Sequence, residues 1–366
     1  MGRRKRRAAA TVAQIALAVA TCLAFLSVTA GVADTTRAWF DDNRFDVWIQ
    51  SAAGRTFDER SAQAIAAVQG VAGAQAWTNN DVQVDDRDAE AWGLPARPLM
   101  DMRISGGRFY RPDEVARGAR VAVIGRSLSR TTGTGLGDDL RLTTANGPAT
   151  FRVIGISANQ AANGDVVFVP DRTLRDVLDA PANNVWITTT ADDHELIDAT
   201  TTRLEDTLAA SGNQVVSLVN YDAREDQVAA NASISMSITV LGLLIVGISM
   251  VALINTITTG VLERTREIGV LRCIGARGRD VRRIFATEGL TMALAGWAAG
   301  VPLGYGLARA VGWLAGNAVG LDIAFVFPLG YVAGALVGTL ALAVLVMLLP
   351  LRRAVRFKPG EALRYA

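Results

Sequence analysis

The chain has 366 residues, half of them hydrophobic, a formal charge of only +2 and two cysteines. That composition points to a part solvated by lipid, and two cysteines exclude a disulfide scaffold. The small net charge hides a partition: residues 34–228 carry 19 basic and 29 acidic side chains, and the remainder carries 18 against 6, so the two parts suit different compartments.

Taken in order, four stretches lack Asp, Glu, Lys and Arg: 26 residues between Arg7 and Asp34, 36 between Asp226 and Glu263, 20 between Glu288 and Arg309, and 29 between Asp322 and Arg352. A membrane helix needs about 20 such residues. Basic residues cluster at Arg3 to Arg7, in the stretch Leu262 to Arg283, and in the tail from Arg352. The positive-inside rule puts all three clusters in the cytoplasm and the acidic segment outside. The expected fold class is an α-helical membrane protein with four transmembrane helices and a large α+β extracytoplasmic domain. Its parts are a basic N-terminus (1–7), the first span (8–33), the outer domain (34–228) and a stalk with the second span (229–262). A cytoplasmic loop (263–283), the third span (284–312), a short outer loop (313–327), the fourth span (328–350) and a basic tail (351–366) complete the chain. The first span, RRKRR followed by an apolar run and SVTAGVAD, also reads as a cleaved signal peptide; either reading exports the next domain.

Within the outer domain the pattern predicts strands at FDVWIQ from Phe45, RVAVIG from Arg120, TFRVIGI from Thr150, VVFVP from Val166, NVWITT from Asn184 and QVVSLVN from Gln214. Helices are predicted at Asp58 to Val68, Asp171 to Leu178 and Asp192 to Ala210, the last capped by Asp192 with Glu195 and striped by Leu196, Ile197, Leu204 and Leu208. The acidic pairs Asp85–Asp86 and Asp138–Asp139 read as turns and solvated edges. The 36-residue uncharged run is too long for one bilayer crossing, so part of it projects as a stalk. Gly296, Gly300 and Gly304 in the third span, and Gly330, Gly334 and Gly338 in the fourth, have the four-residue spacing that lets helices pack closely. Pro302 is expected to kink the third span. Glu288, at its cytoplasmic entrance, is read as the ion-pair partner of Arg283 or another loop arginine, with a structural hinge contact as the alternative.

The loop LERTREIGVLRCIGARGRDVRR packs seven arginines and three acids into 22 residues. Spans on both sides leave no room for a groove-sized binding domain, and no aromatic residue interleaves before Phe285, so nucleic acid is excluded as a partner. Gly269 and Gly275 divide the loop. The second span leaves the bilayer through Glu263, Arg264, Arg266, Glu267 and Ile268. A short helix follows, with Val270, Leu271 and Ile274 on one face and Arg272 on the other. A third helix then starts at Asp280, with Val281, Ile284 and Phe285 on one face. Such a short helix can lie on membrane lipid or dock in a groove of a cytoplasmic partner; physics alone leaves both open.

The text ERTREIGVLRCIGARGRDVRRIFATEG resembles the signature of the FtsX/MacB-like permease family of ABC transporters. GGRFYRPDEVARGARVAVIGRSL with LGDDLRL and FRVIGI resembles that family's periplasmic core domain, and PLRRAVRFKPGEALRYA resembles its tail. The resemblance implies that the loop couples to a separate ABC ATPase subunit, which binds ATP and Mg, and that the permease works with a second copy or half as a dimer. It favours partner docking over lipid. The opening also resembles the second half of longer, ten-span relatives, so both a complete subunit and one half are open. An extracytoplasmic partner or substrate-binding protein is expected. The chain itself shows no GxxxxGK[ST], HExxH or GxSxG and no metal-spaced Cys/His set, so no cofactor and no enzymatic activity are expected in it. The lone His194 reads as a surface residue. Two rivals remain: a signalling member whose outer domain controls a cell-wall hydrolase or sensor, and a membrane-tethered binding protein without an ATPase.

Overall fold

The computed structural model describes residues 2–52, 56–159, 161–179, 181–190, 193–263, 270, 274, 276–318, 325–327 and 329–356. The chain divides into two compact units. One contains Ala33–Ala230 with Ala315–Ile323; the other contains Met1–Val32, Asn231–Leu314 and Ala324–Ala366.

The first unit is an α+β domain. Its elements are β1 (Val47–Ser51), α2 (Glu59–Ala66), β2 (Val71–Val84), β3 (Arg87–Leu94), β4 (Ile104–Gly107), α3 (Pro112–Ala116) and β5 (Val121–Gly125). There follow α4 (Arg126–Thr132), β6 (Asp139–Thr144), β7 (Gly147–Ser157), β8 (Val166–Pro170), α5 (Asp171–Leu178), β9 (Asn184–Thr189), α6 (His194–Ala210) and β10 (Val215–Val219). The strands β10, β1, β9 and the first half of β2 form an antiparallel sheet. With α2 after β1 and α6 after β9 this is a βαββαβ unit of split-βαβ order. Val47, Ile49, Val185 and Ile187 bury one sheet face against Ile65 of α2 and Ile197, Leu204 and Leu208 of α6.

Everything from β3 to α5 is inserted between β2 and β9. The second half of β2 leaves the first sheet and turns into β3 through Asp85 and Asp86, whose φ angles of 49° and 62° are those of a two-residue hairpin turn. Strands β2, β3, β8, β5, β7 and β6 then pair in a closed circuit, sealed where Gln83 and Val84 of β2 meet Thr143 and Leu142 of β6. The pairs β3–β8 and β5–β7 are parallel. Val84, Ala91, Ile124, Leu142, Phe151 and Val167 supply one core residue from each of these strands, joined by Leu128 of α4 and Leu174 of α5. On β3, β8 and β5 the alternate residues Trp92, Phe168 and Val123 face a second, aromatic core with Phe45, Trp77 and Trp186. Burial on both faces explains why VVFVP carries no polar residue.

The segment from Arg108 to Ala119 is fixed by a charge. Both guanidinium NH groups of Arg108 donate to the buried Glu114 carboxylate at 2.7 Å, and Arg111 N donates at 2.8 Å. The Arg108 hydrogen bonds are the main reason that Glu114 has its pKa lowered to about 2. A carboxyl held below its unfolded value of about 4.3 stabilises the fold above that value, and the contribution disappears as pH falls towards 2. Glu114→Gln is therefore expected to lose about 2 kcal/mol at pH 7. The gap to the wild type should close between pH 5 and pH 2 in thermal unfolding of the full chain; a gap that stays constant with pH would refute this.

Six predicted strands and three predicted helices of this domain are present, β8, β9 and α5 with the predicted bounds and the others with shifted ends. Helix α6 is capped by Asp193, which accepts from Glu195 N at 2.9 Å and Leu196 N at 3.4 Å, and not by Asp192, which lies outside the described residues. Leu196 is off the apolar stripe and half exposed. The exposed His194 stacks on Tyr221 at 3.7 Å.

The second unit is helical. Among the described residues three helices are long and apolar enough to cross a membrane: α1 (Gly2–Asp42), α7 (Asn220–Glu263) and α8 (Gly278–Ala318). In α9 (Leu329–Arg356) the described apolar stretch is Leu329–Leu345. The first span was expected to stop at residue 33, but α1 continues to Asp42, and α7 starts at Asn220, ahead of the expected border at 229. Forty-four residues at about 1.5 Å each reach about 66 Å, twice the hydrocarbon thickness. Both helices therefore extend beyond the bilayer, where only one stalk was expected. Helix α8 runs unbroken through Pro302. Met250, Leu253 and Ile257 of α7 pack with Phe285, Met292 and Ala293 of α8 and with Ala343 and Met347 of α9.

Candidate coupling site

Helix α7 is described as far as Glu263 and α8 begins at Gly278, and the arginine-rich loop lies between them. The predicted coupling residues Arg264, Arg266, Glu267, Ile268, Gly269, Leu271, Arg272 and Gly275 lie outside the described residues. Between them Val270 is helical, and Ile274 N donates to Val270 O at 3.1 Å, an i to i−4 bond. Residues four apart on such a turn share a face. Their side chains are 55% and 77% exposed, an apolar pair turned to solvent inside a strongly charged segment.

Beyond the turn, Asp280 does not open α8 itself. The helix starts two residues earlier, and the Asp280 carboxylate reaches back to accept from Arg277 N at 2.9 Å, as an acidic third residue does in a capping box. Of the predicted apolar face, Val281 and Phe285 are buried and Ile284 is half exposed.

Glu263 is held from the other end of the sequence: Arg7 NH1 donates to its carboxylate at 2.5 Å. One turn deeper the hydroxyls of Thr11 and Thr256 lie 2.6 Å apart, so α1 and α7 are tied twice at this end. Arg7, Thr256, Glu263, Phe285, Glu288 and Met292 line a cavity of about 40 Å³. Both partners of the Arg7–Glu263 pair are half exposed, which limits its worth to about 0–1 kcal/mol. Among the described residues no ion pair joins Arg283 to Glu288, which is not itself without a partner. Five residues on a continuous helix separate two side chains by about 140°, and Glu288 turns to the cavity while Arg283 is exposed. Sequence reasoning took Arg7 only as a marker of sidedness. Its role as the partner of Glu263 could not be read from a separation of 256 residues.

Of the two glycine rows, only one packs against another helix among the described residues. A Cβ on Gly300 would stand 2.8 Å from Ala16 O and 2.8 Å from Val19 Cβ of α1, and one on Gly304 would stand 3.0 Å from Ala20 O. At Gly296 it would meet Ile15 Cγ2 at 2.6 Å. Gly330, Gly334 and Gly338 have nothing within 4 Å of such an atom among the described residues. Helix α9 instead meets its neighbours through Ala335, Ala343 and Met347.

Residues 8–207 match the MacB-like periplasmic core domain, and residues 239–359 match the FtsX-like permease C-terminal model. The chain is 30% identical over 274 residues to the pyoverdine export ATP-binding/permease protein PvdT of Pseudomonas entomophila, covering 70% of this chain and 40% of that protein. It is 25% identical over 284 residues to the macrolide export ATP-binding/permease protein MacB of Bdellovibrio bacteriovorus, covering 71% and 41%. It thus spans about two fifths of the length of these relatives. Among solved structures, the periplasmic region of MacB from Actinobacillus actinomycetemcomitans aligns with 51% of this chain and 94% of its own, at 13% identity and a TM-score of 0.39. With one family model covering the first span and outer domain and the other covering the remaining helices, the chain belongs to the FtsX/MacB-like ABC transporter permeases, bacterial membrane proteins whose outer domain is extracytoplasmic.

Proposed function

We propose that this chain is the membrane subunit of an ABC exporter, driven by a nucleotide-binding partner that docks on the turn carrying Val270 and Ile274. The observation that carries this reading is that turn: two aliphatic side chains, 55% and 77% exposed, on one helical face, within a segment whose sequence is otherwise dominated by arginine. A single apolar face of this kind fits a groove on a protein partner. The family relatives carry ATP-binding and permease in one name, and this sequence has no phosphate-binding loop to supply the first of these itself.

In this reading there are four spans with both termini in the cytoplasm, and the chain works beside a second permease copy or half. Closure of the ATPase pair moves the loop, and α7 passes that motion towards the outer domain as a rigid element with two discrete positions. Glu263 and its tie to Arg7 lie where the loop leaves α7, so the first helix moves with the second. ATP and Mg belong to the partner, and the cargo is taken up from or moved through the outer side.

The test is co-purification of the full chain with its ATPase and measurement of nucleotide hydrolysis in reconstituted vesicles. Val270→Asp with Ile274→Asp places two charges on the docking face and is expected to reduce the bound ATPase at least tenfold, with the chain still inserted in the membrane. An unchanged yield of complex would overturn the reading.

A further inference from the structure

Arg309 is the only basic residue between Arg283 and Arg352, and it lies on the outer side, where such residues are scarce. Its depth follows from helix length. The 20 uncharged residues between Glu288 and Arg309, at about 1.5 Å each, span about 30 Å, the thickness of the hydrocarbon layer. Arg309 therefore stands at the level of the outer headgroups.

Its surroundings are aromatic. The guanidinium carbon is 5.2 Å from the centre of the Phe325 ring, and NH1 donates to the hydroxyl of Tyr305, one turn back, at 3.4 Å. Tyr305 is in edge contact with Phe325 and with Phe327, each at 5.3 Å between centroids. The segment is pinned from the side by Ser27, which donates to Val326 O, and by Phe327 packing with Ile15, Val19 and Leu23. Among the described residues no carboxylate lies within 4 Å of Arg309. Tyr305 accepts from the arginine, so its own proton is left to donate, and the exposed guanidinium keeps most of its five donors.

We propose that Tyr305, Arg309 and Phe325 form a binding site for the phosphate headgroup of an anionic lipid in the outer leaflet. Planar guanidinium donors and a phenolic hydroxyl match phosphate oxygens. The rings hold the cation in place and leave an apolar wall for the acyl chains, while Trp313 and Leu314, 71% and 60% exposed, continue that wall.

The experiment is native mass spectrometry of the full chain in mixed micelles containing equal phosphatidylglycerol and phosphatidylcholine. The wild type is expected to retain phosphatidylglycerol about fivefold over phosphatidylcholine. Arg309→Gln should bring the ratio to unity, and Arg309→Lys, which keeps charge without the planar fork, should fall between. Unchanged elution and melting of the variants would show that they remain folded. Phe325→Ala should lower the ratio without removing a charge. The assignment is overturned if Arg309→Gln keeps the wild-type ratio. It is also overturned if millimolar inorganic phosphate displaces the lipid completely, or if a preference emerges only in Asp322→Asn, which would make that aspartate the occupant.

Discussion

Gly300→Leu is expected to cost at least about 3 kcal/mol and to leave little folded protein in the membrane fraction. The reason is the distance between α1 and α8. Apolar side chains gain no hydrophobic energy by leaving lipid for another helix, so association rests on contact between backbones. At Gly300 the first atom of any side chain would stand 2.8 Å from the carbonyl oxygen of Ala16. A backbone oxygen cannot rotate away as a side chain can. The two helices would have to separate, and the neighbouring approaches at Gly296 and Gly304 would separate with them. Gly300→Ala needs a displacement of several tenths of an ångström and should cost less. Gly306→Leu, six residues further along α8 and with nothing within 4 Å of its added carbon among the described residues, should unfold as the wild type does. Denaturation in mixed micelles with all three variants measures this, and equal midpoints for Gly300→Leu and Gly306→Leu would refute it.

The same glycines show what was legible in the sequence and what was not. Spacing identified both rows as faces that allow close approach, but spacing carries no information on which neighbour approaches. Gly300 meets α1, whereas a Cβ on Gly334 would meet nothing within 4 Å among the described residues. Charge complementarity is limited in a related way. Arg283 and Glu288 are complementary in charge and near in sequence, but helical geometry turns them apart, and Glu288 faces the cavity beside Arg7. The alignment of Val270 with Ile274 was readable because it is local: the two need only one turn of helix.

In the outer domain the strands with β-branched residues were legible, as at VVFVP and NVWITT, and β2 was not. Its sequence VAGAQAWTNNDVQV is rich in alanine, asparagine, glutamine and glycine, which are poor strand formers or indifferent ones. Pairing decides its state. One end of β2 is held by β9 and the other by β3 and β6, so the longest strand of the domain is formed by its neighbours. Because β2 belongs to both the βαββαβ sheet and the strand circuit, missing it also hid the insertion that joins them.

Trp77, on this shared strand, carries the second large effect. It is fully buried and stacks within 5.5 Å of Trp48, Trp92 and Trp186. Trp186 in turn stacks on Phe45, and Trp92 meets Phe168 of β8 edge-on. Trp77→Ala empties the middle of this chain of rings and is expected to cost about 3–5 kcal/mol. Trp77→Phe should cost far less than its loss of volume suggests. The indole nitrogen of Trp77 is buried with no hydrogen-bond partner, and removing an unpaired donor recovers part of the desolvation it costs, about 1–3 kcal/mol. Trp92 is the contrasting case, since its nitrogen donates to Glu90 at 2.7 Å. Trp92→Phe breaks that bond and leaves the carboxylate without its donor. Thermal unfolding followed by tryptophan fluorescence should therefore rank Trp77→Phe above Trp92→Phe and both above Trp77→Ala. The reverse order for the two phenylalanine variants would mean that ring volume, and not the unpaired nitrogen, sets the stability of this core.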